Sequence, residues 1–135
     1  MLDLNDQENG WKPMSKMLKP RKWCSSATCW DKVHVTGGYE YQCLSSCETF
    51  DVHQNKWMSI GNMRRARYVH ATVALTDSIY CIGGHNDITR FSSCERYDVR
   101  NGKWNEIAPL NQARSGLASV ALDGKIYAIG KKVRC

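Results

Sequence analysis

Apolar residues along this chain come in short runs separated by polar, glycine-bearing turns, and the clearest set follows Arg67. Residues 69–75 read as a first strand, with Ala71 and Ala74 small, and Thr76-Asp77-Ser78 is a turn by composition. A second strand, 79–82, runs into Gly83-Gly84, and a polar loop covers 85–93. In 94–99, Cys94, Arg96 and Asp98 alternate with Glu95, Tyr97 and Val99, the period of two expected of a third strand. After a turn at 100–103, a fourth strand spans 104–108 and Pro109 ends it. Nowhere does a helical apolar period emerge.

The unit repeats. Trp11, Trp57 and Trp104 are spaced by 46 and 47 residues, and Arg21, Arg67 and Arg114 by the same two intervals. Gly37-Gly38 recurs as Gly83-Gly84, and Gly130 holds the first of these positions a third time. Ser45-Ser46-Cys47-Glu48 followed by Phe50-Asp51-Val52 recurs as Ser92-Ser93-Cys94-Glu95 followed by Tyr97-Asp98-Val99. Four strands and four turns in about 45 residues is the size of one propeller blade. The expectation is therefore an all-β chain, a partial β-propeller of four-stranded antiparallel blades. Residues 19–63 and 64–110 would be complete blades. Residues 1–18 would end a preceding blade, with a third strand in 1–4 and a fourth in 11–14. Residues 111–130 would supply the first two strands of a further blade, and 131–135 an atypical tail.

The recurring residues have physical work to do. Two successive glycines leave room for a neighbouring backbone or ring and permit positive φ. Phe50 and Tyr97, with Trp57 and Trp104, supply the large apolar surfaces that pack one blade on the next. Cys47 and Cys94 share a repeat position, and Cys81 falls where Val35 and Ala128 stand, so these read as small core residues and not as redox chemistry.

Composition narrows the function. The apolar share of 42% can build a core, and the charged share of 24% is too low for a disordered tail. No run of apolar residues is long enough to span a membrane, and the acidic start MLDLNDQENGW does not read as a signal peptide. Seven cysteines without CxxC pairs fit a reducing compartment, with neither a disulfide framework nor a zinc site. The net charge of +6 is compatible with an acidic partner or nucleic acid, but no nucleic-acid motif occurs. No GxSxG, P-loop or HExxH is present, and no cofactor or metal is expected.

The set Arg67, Gly83-Gly84, Tyr97-Asp98 and Trp104, preceded by Arg21, Gly37-Gly38, Phe50-Asp51 and Trp57, resembles Kelch repeats. A third unit opens with Arg114 and reaches Gly130 through Ile126-Tyr127-Ala128-Ile129. The wording is most similar to the Kelch-like proteins, in which a propeller sits behind BTB and BACK domains and presents substrates to a cullin-based ubiquitin ligase. The resemblance implies a protein-interaction module and not an enzyme. Its partner would be a ubiquitination substrate or, as in Kelch proteins that bind actin, a cytoskeletal protein. It implies a cytoplasmic location, and contact with a cullin ligase only through domains absent from this sequence. A copper site of the galactose oxidase type would need converging ligands, whereas His34, His53, His70 and His85 occupy four different repeat positions. Two departures stand out: His34 replaces the tyrosine of Tyr80 and Tyr127, and Trp30 sits where a turn residue belongs.

Propellers close with four to eight blades, so this sequence reads as a fragment or truncated product whose open blade faces would self-associate. Gly130 is followed by Lys-Lys-Val-Arg-Cys where a second glycine belongs. Gly-Lys can be encoded as GGTAAG, which contains a splice donor, so the last five residues are expected to be intron read-through.

By resemblance, the partner would meet the face shared by the loops after Gly-Gly and the loops entering each inner strand. Partner-binding candidates in the entering loops are Arg21, Lys22, Arg64, Arg67, Tyr68, Arg114 and Ser115. In the loops after Gly-Gly they are Tyr39, Tyr41, His85, Asn86 and Arg90. Guanidinium groups hold carboxylates bidentately and tyrosines add flat contact area, which predicts a basic, aromatic-flanked face for an acidic segment. The recurring arginines have a second reading, as anchors of the inner strand through hydrogen bonds to a neighbouring loop.

Overall fold

The computed structural model describes residues 1–130. Its first four-stranded sheet is an antiparallel meander of β1 (Ser25–Cys29), β2 (Lys32–Thr36), β3 (Cys47–Asp51) and β4 (Lys56–Ile60). The second repeats it with β5 (Ala71–Leu75), β6 (Ser78–Ile82), β7 (Cys94–Asp98) and β8 (Lys103–Ile107), and a third sheet pairs β9 (Ala118–Leu122) with β10 (Lys125–Ile129). Register is the same in each unit: Phe50 lies opposite Trp57, and Tyr97 opposite Trp104. The architecture is that of partial propeller blades, each complete one a four-stranded antiparallel meander. The expected tail at 131–135 lies outside the described residues.

The core lies between blades. Cys29 and Cys47 of the first sheet, with Met63, pack against Ile79, Cys81, Tyr97 and Trp104 of the second. Val73, Ile82 and Cys94 then meet Leu117, Ala121, Ile126 and Ala128 of the third. Cys47, Cys81 and Cys94 are thus core residues, and all three are free thiols. Burial pushes the Cys47 thiol up to about 12 and the Cys81 thiol up to about 11, which removes them from thiolate chemistry.

The paired glycines make the close approach possible. A Cβ on Gly37 would collide with the Arg67 carbonyl oxygen, and one on Gly83 would lie 2.5 Å from that of Arg114. Both sit at positive φ, 55° and 62°, where a side chain is disfavoured in any case. The space left by the absent Cβ lets the Gly38 N–H reach the Arg67 carbonyl at 2.9 Å and the Gly84 N–H reach Arg114 at 2.7 Å.

Residues 1–18 correct one expectation. They form no strands, only a 3₁₀ turn at Gln7–Asn9, and the backbone pairing between the two expected strands is confined to Met1 and Lys12, which exchange bonds of 2.6 and 2.7 Å. Trp11 accordingly stays 79% exposed, where its counterpart Trp104 is buried. Residues 15–19 nevertheless do what 61–65 do one repeat later. The Trp57 indole N–H donates to the Ser15 carbonyl at 2.8 Å, as that of Trp104 does to Gly61 at 2.7 Å.

Candidate functional site

The loop face is tied together by one backbone bridge between its two kinds of loop in each complete unit. Lys22 and Tyr39 exchange backbone hydrogen bonds of 3.0 and 2.8 Å, and Tyr68 and His85 exchange bonds of 3.0 and 3.1 Å. Each bridge ties the residue after the recurring arginine to the residue after the glycine pair. The two kinds of loop expected to share a face are therefore joined by backbone.

Arg21 and Arg67 are corrected as partner contacts, because their guanidinium groups are buried inside the blade. Arg67 donates through Nη1 to the Gly83 and Ser93 carbonyls at 2.7 and 2.9 Å, and through Nη2 to Ser93 Oγ at 3.2 Å. Its charge is met by Glu95 at 2.7 Å, with both side chains fully buried. Arg21 repeats the pattern with Gly37, Ser46 and Glu48. Each carboxylate also accepts backbone N–H groups from the entering loop, Leu18 and Lys19 onto Glu48 and Arg64 and Arg65 onto Glu95. Arg114 donates to the Gly130 carbonyl at 2.8 Å, the same first step of the network. These arginines hold the inner strand to the loops around it. The signal for this lay in Glu48 and Glu95, which recur in step with the arginines.

Of the remaining candidates, Lys22, Arg64 and Arg90 are exposed, and none of them forms an ion pair among the described residues. Tyr41 stands 91% exposed at a loop tip, and Ser115 is half-buried. Asn86 folds its own loop, accepting N–H bonds from Ile88 at 3.0 Å and Thr89 at 2.7 Å on its side-chain oxygen. Tyr39, Tyr68 and His85 come together, with Tyr39 edge-on to Tyr68 at 5.4 Å and His85 4.2 Å from Tyr68 between ring centroids. The Tyr68 hydroxyl donates to Asp87 at 3.2 Å.

Sequence reasoning missed Trp23, which completes this group. It stacks on Tyr68 with centroids 5.6 Å apart and planes 26° from parallel, and lies 5.8 Å from Tyr39. The Lys22 ammonium sits over it at 4.5 Å, a cation–π contact that also reaches Tyr39 at 5.4 Å. A hollow of about 390 Å³ opens beside them, lined by Pro20, Arg21, Lys22, Tyr39, Glu40 and Tyr41.

Both complete sheets match the family model of the Kelch motif, at residues 20–64 and 66–111. The chain belongs to the Kelch-repeat family. Among curated relatives, the zebrafish (Danio rerio) Kelch repeat and BTB domain-containing protein 8 is 33% identical over 81 residues, 56% of this chain and 14% of that protein. Alpha-scruin of Limulus polyphemus is 30% identical over 88 residues, 59% of this chain and 10% of that protein. Human Kelch-like protein 23 is 32% identical over 72 residues, 51% of this chain and 13% of that protein. The matched Kelch segments thus span between a tenth and a seventh of these relatives' length.

The opposite end of the Kelch blades is built differently. Asp51 and Asp98 each accept two backbone N–H bonds from the turn that follows, which holds their carboxyls below the usual range. Trp30 occupies the β1–β2 turn at φ 53°, and its indole N–H donates to Asp77 of the next blade at 2.8 Å. His53 lies at this end, His85 at the loop face, and His34 and His70 in the packed interior. Among the described residues no His, Cys, Asp or Glu cluster could hold a metal ion, and no helix is long and apolar enough to cross a membrane.

Proposed function

We propose that these blades are the partner-recognition part of a larger protein, and that their loop face captures an acidic segment of another protein. The observation that carries this is the surface left after the buried arginines are set aside. Among the described residues Lys22, Arg64 and Arg90 stand exposed without an ion pair, Lys22 over the aromatic group and Arg90 bridged to His85, and only Glu40 and Asp87 oppose them in the loops after Gly-Gly. Cations beside an aromatic group favour encounter with carboxylates and supply contact area once they arrive. Similarity to a Kelch repeat and BTB domain-containing protein supports a finer reading, in which the whole protein is a substrate adaptor of a cullin-based ubiquitin ligase.

The test is charge reversal in the full protein that carries these blades. Lys22→Glu, Arg64→Glu and Arg90→Glu together should lower capture of partners, identified by proximity labelling, by about tenfold or more, at about 0.5 kcal/mol or more per rim charge. The melting temperature should stay within a few degrees of the parent. Undiminished capture would refute the loop-face reading. Pelleting with actin filaments instead, with no ubiquitination of captured proteins, would replace the adaptor by the cytoskeletal alternative.

A further inference from the structure

Trp23 occupies a position where the framework has no use for a side chain. It stands two residues after Arg21, as Val69 does after Arg67 and Gly116 after Arg114. All three adopt left-handed backbone, with φ of 55°, 52° and 64°. What the position contributes to the fold is main chain: the Val69 N–H donates to the Trp23 carbonyl at 2.9 Å, and the Gly116 N–H donates to the Val69 carbonyl at 2.8 Å. Glycine does this without strain, as Gly116 demonstrates. A tryptophan there is disfavoured by its backbone, and more than half of its surface remains in water, 54% exposed. Neither local geometry nor burial accounts for it. Val69 carries the same backbone strain within the framework, so what sets Trp23 apart is its large exposed indole, and tryptophan is enriched among residues that dominate binding energy.

The surroundings specify what such an anchor takes. Trp23 is stacked on Tyr68 with Tyr39 edge-on to the same tyrosine, an aromatic group whose most exposed ring is the Trp23 indole. Among the described residues, neither the Trp23 indole N–H nor the Tyr39 hydroxyl makes a hydrogen bond, in contrast to the indoles of Trp30, Trp57 and Trp104. Unused donors beside an aromatic group fit an extended segment whose backbone carbonyls are free, the condition of a polyproline II helix. The Lys22 ammonium over the same rings repels a basic partner and, lacking a carboxylate of its own, attracts an acidic one.

We infer that Trp23 is the anchor of the loop face, and that it seats a proline ring of an extended, acidic partner segment against Tyr68 and Tyr39. The inference rests on the acidic-partner reading above and adds the anchor residue and the proline to it. It can be tested with fluorescein-labelled twelve-residue peptides on the full protein, read by anisotropy. The peptides share acidic flanks and differ at a central Pro-Pro, Ala-Ala or Trp-Ala pair, and a fourth carries serine flanks around Ala-Ala.

The Pro-Pro peptide should bind at least tenfold more tightly than the acidic Ala-Ala peptide. Trp23→Gly should remove that advantage, so that the variant binds Pro-Pro and Ala-Ala alike, and melt no lower than the parent because the backbone strain is gone. Equal affinity for Pro-Pro and Ala-Ala would overturn the anchor while leaving the acidic reading intact. A preference for Trp-Ala would overturn the proline. If acidic Ala-Ala bound no better than its serine-flanked counterpart, the acidic reading would fall, and the inference with it.

Discussion

Replacing Arg67 should unfold the protein before it affects any partner. In Arg67→Met the guanidinium leaves behind the Gly83 and Ser93 carbonyls and the Glu95 carboxylate, all drawn to it within 2.9 Å. Glu95 keeps the N–H groups of Arg64 and Arg65, at 2.7 and 3.3 Å, but its charge is then buried without a counter-ion. Breaking one side of a buried ion pair costs about 3–5 kcal/mol, and a carbonyl deprived of its donor adds about 1–3 kcal/mol where water cannot replace it. These costs overlap, so about 4 kcal/mol is expected. That corresponds to roughly 15 °C in melting temperature for a unit of this size. Urea denaturation followed by tryptophan fluorescence reads it directly.

Two companion variants give the experiment its force. Arg64→Met removes an exposed side chain but keeps the backbone N–H that Glu95 uses, so it should stay within about 0.5 kcal/mol of the parent. Glu95→Met should cost about as much as Arg67→Met, while the double replacement should fall short of the sum by about 2 kcal/mol or more, since neither charge is then left alone. Stability of Arg67→Met within about 1 kcal/mol of the parent would refute the anchoring role and make Arg67 a partner contact again.

Two further outcomes follow from the same geometry. Gly83→Ala should cost about 3 kcal/mol or more, because its Cβ would press on the Arg114 carbonyl oxygen at 2.5 Å, whereas Gly124→Ala, also at positive φ but with nothing within 4 Å, should cost only about 1 kcal/mol. Equal effects in denaturation would show that conformation and not close approach explains the glycine pair. His70 is buried against Thr36, and burial holds its folded-state pKa down at about 3, against 6.5 for a histidine in water. The unfolded chain therefore takes up a proton that the folded chain refuses between those values. Stability contributed above pH 6.5 should be lost at up to about 1.4 kcal/mol per pH unit as pH falls, roughly 2 kcal/mol by pH 5. A flat profile from pH 7 to 5 would show that His70 is accessible to water.

The strands were legible because repetition turns weak local signals into aligned ones. Where boundaries differ, tertiary contacts explain the shift. The first strand of the second blade was expected from residue 69 but begins at Ala71, because Val69 turns left-handed to donate its N–H across the blade boundary to Trp23. The next begins at Ser78 and not 79, because Thr76-Asp77 alone makes the turn. Residues 1–4 and 11–14 have the composition of strands, but they exchange backbone bonds only between Met1 and Lys12, too few to make a ladder. The arginines illustrate a different limit. Their recurrence was visible, but recurrence is equally expected of a binding residue and an anchor until the matching recurrence of Glu48 and Glu95 is read as its partner. Trp23 was missed for the opposite reason: it does not recur, and its backbone strain is invisible in one dimension.

That contrast separates framework from site. Positions whose hydrogen bonds repeat blade after blade are the ones the fold consumes: the arginine with its glutamate, the glycine pair, and the indole with a carbonyl of the preceding repeat. Their side chains are buried or spent on main chain, so partner selection cannot depend on them. What varies at fixed backbone is different in kind. The residue after the arginine is Lys22, Tyr68 or Ser115, the residue after the glycines is Tyr39 or His85, and the left-handed residue is Trp23, Val69 or Gly116. The backbone bridges at the first two of these positions are the same in both complete blades, so side chains there can change while the main-chain bonds stay. A propeller built this way presents an invariant scaffold whose loop face is written by a few residues per blade. In this chain those residues are aromatic and basic, and they cluster where the two complete blades meet.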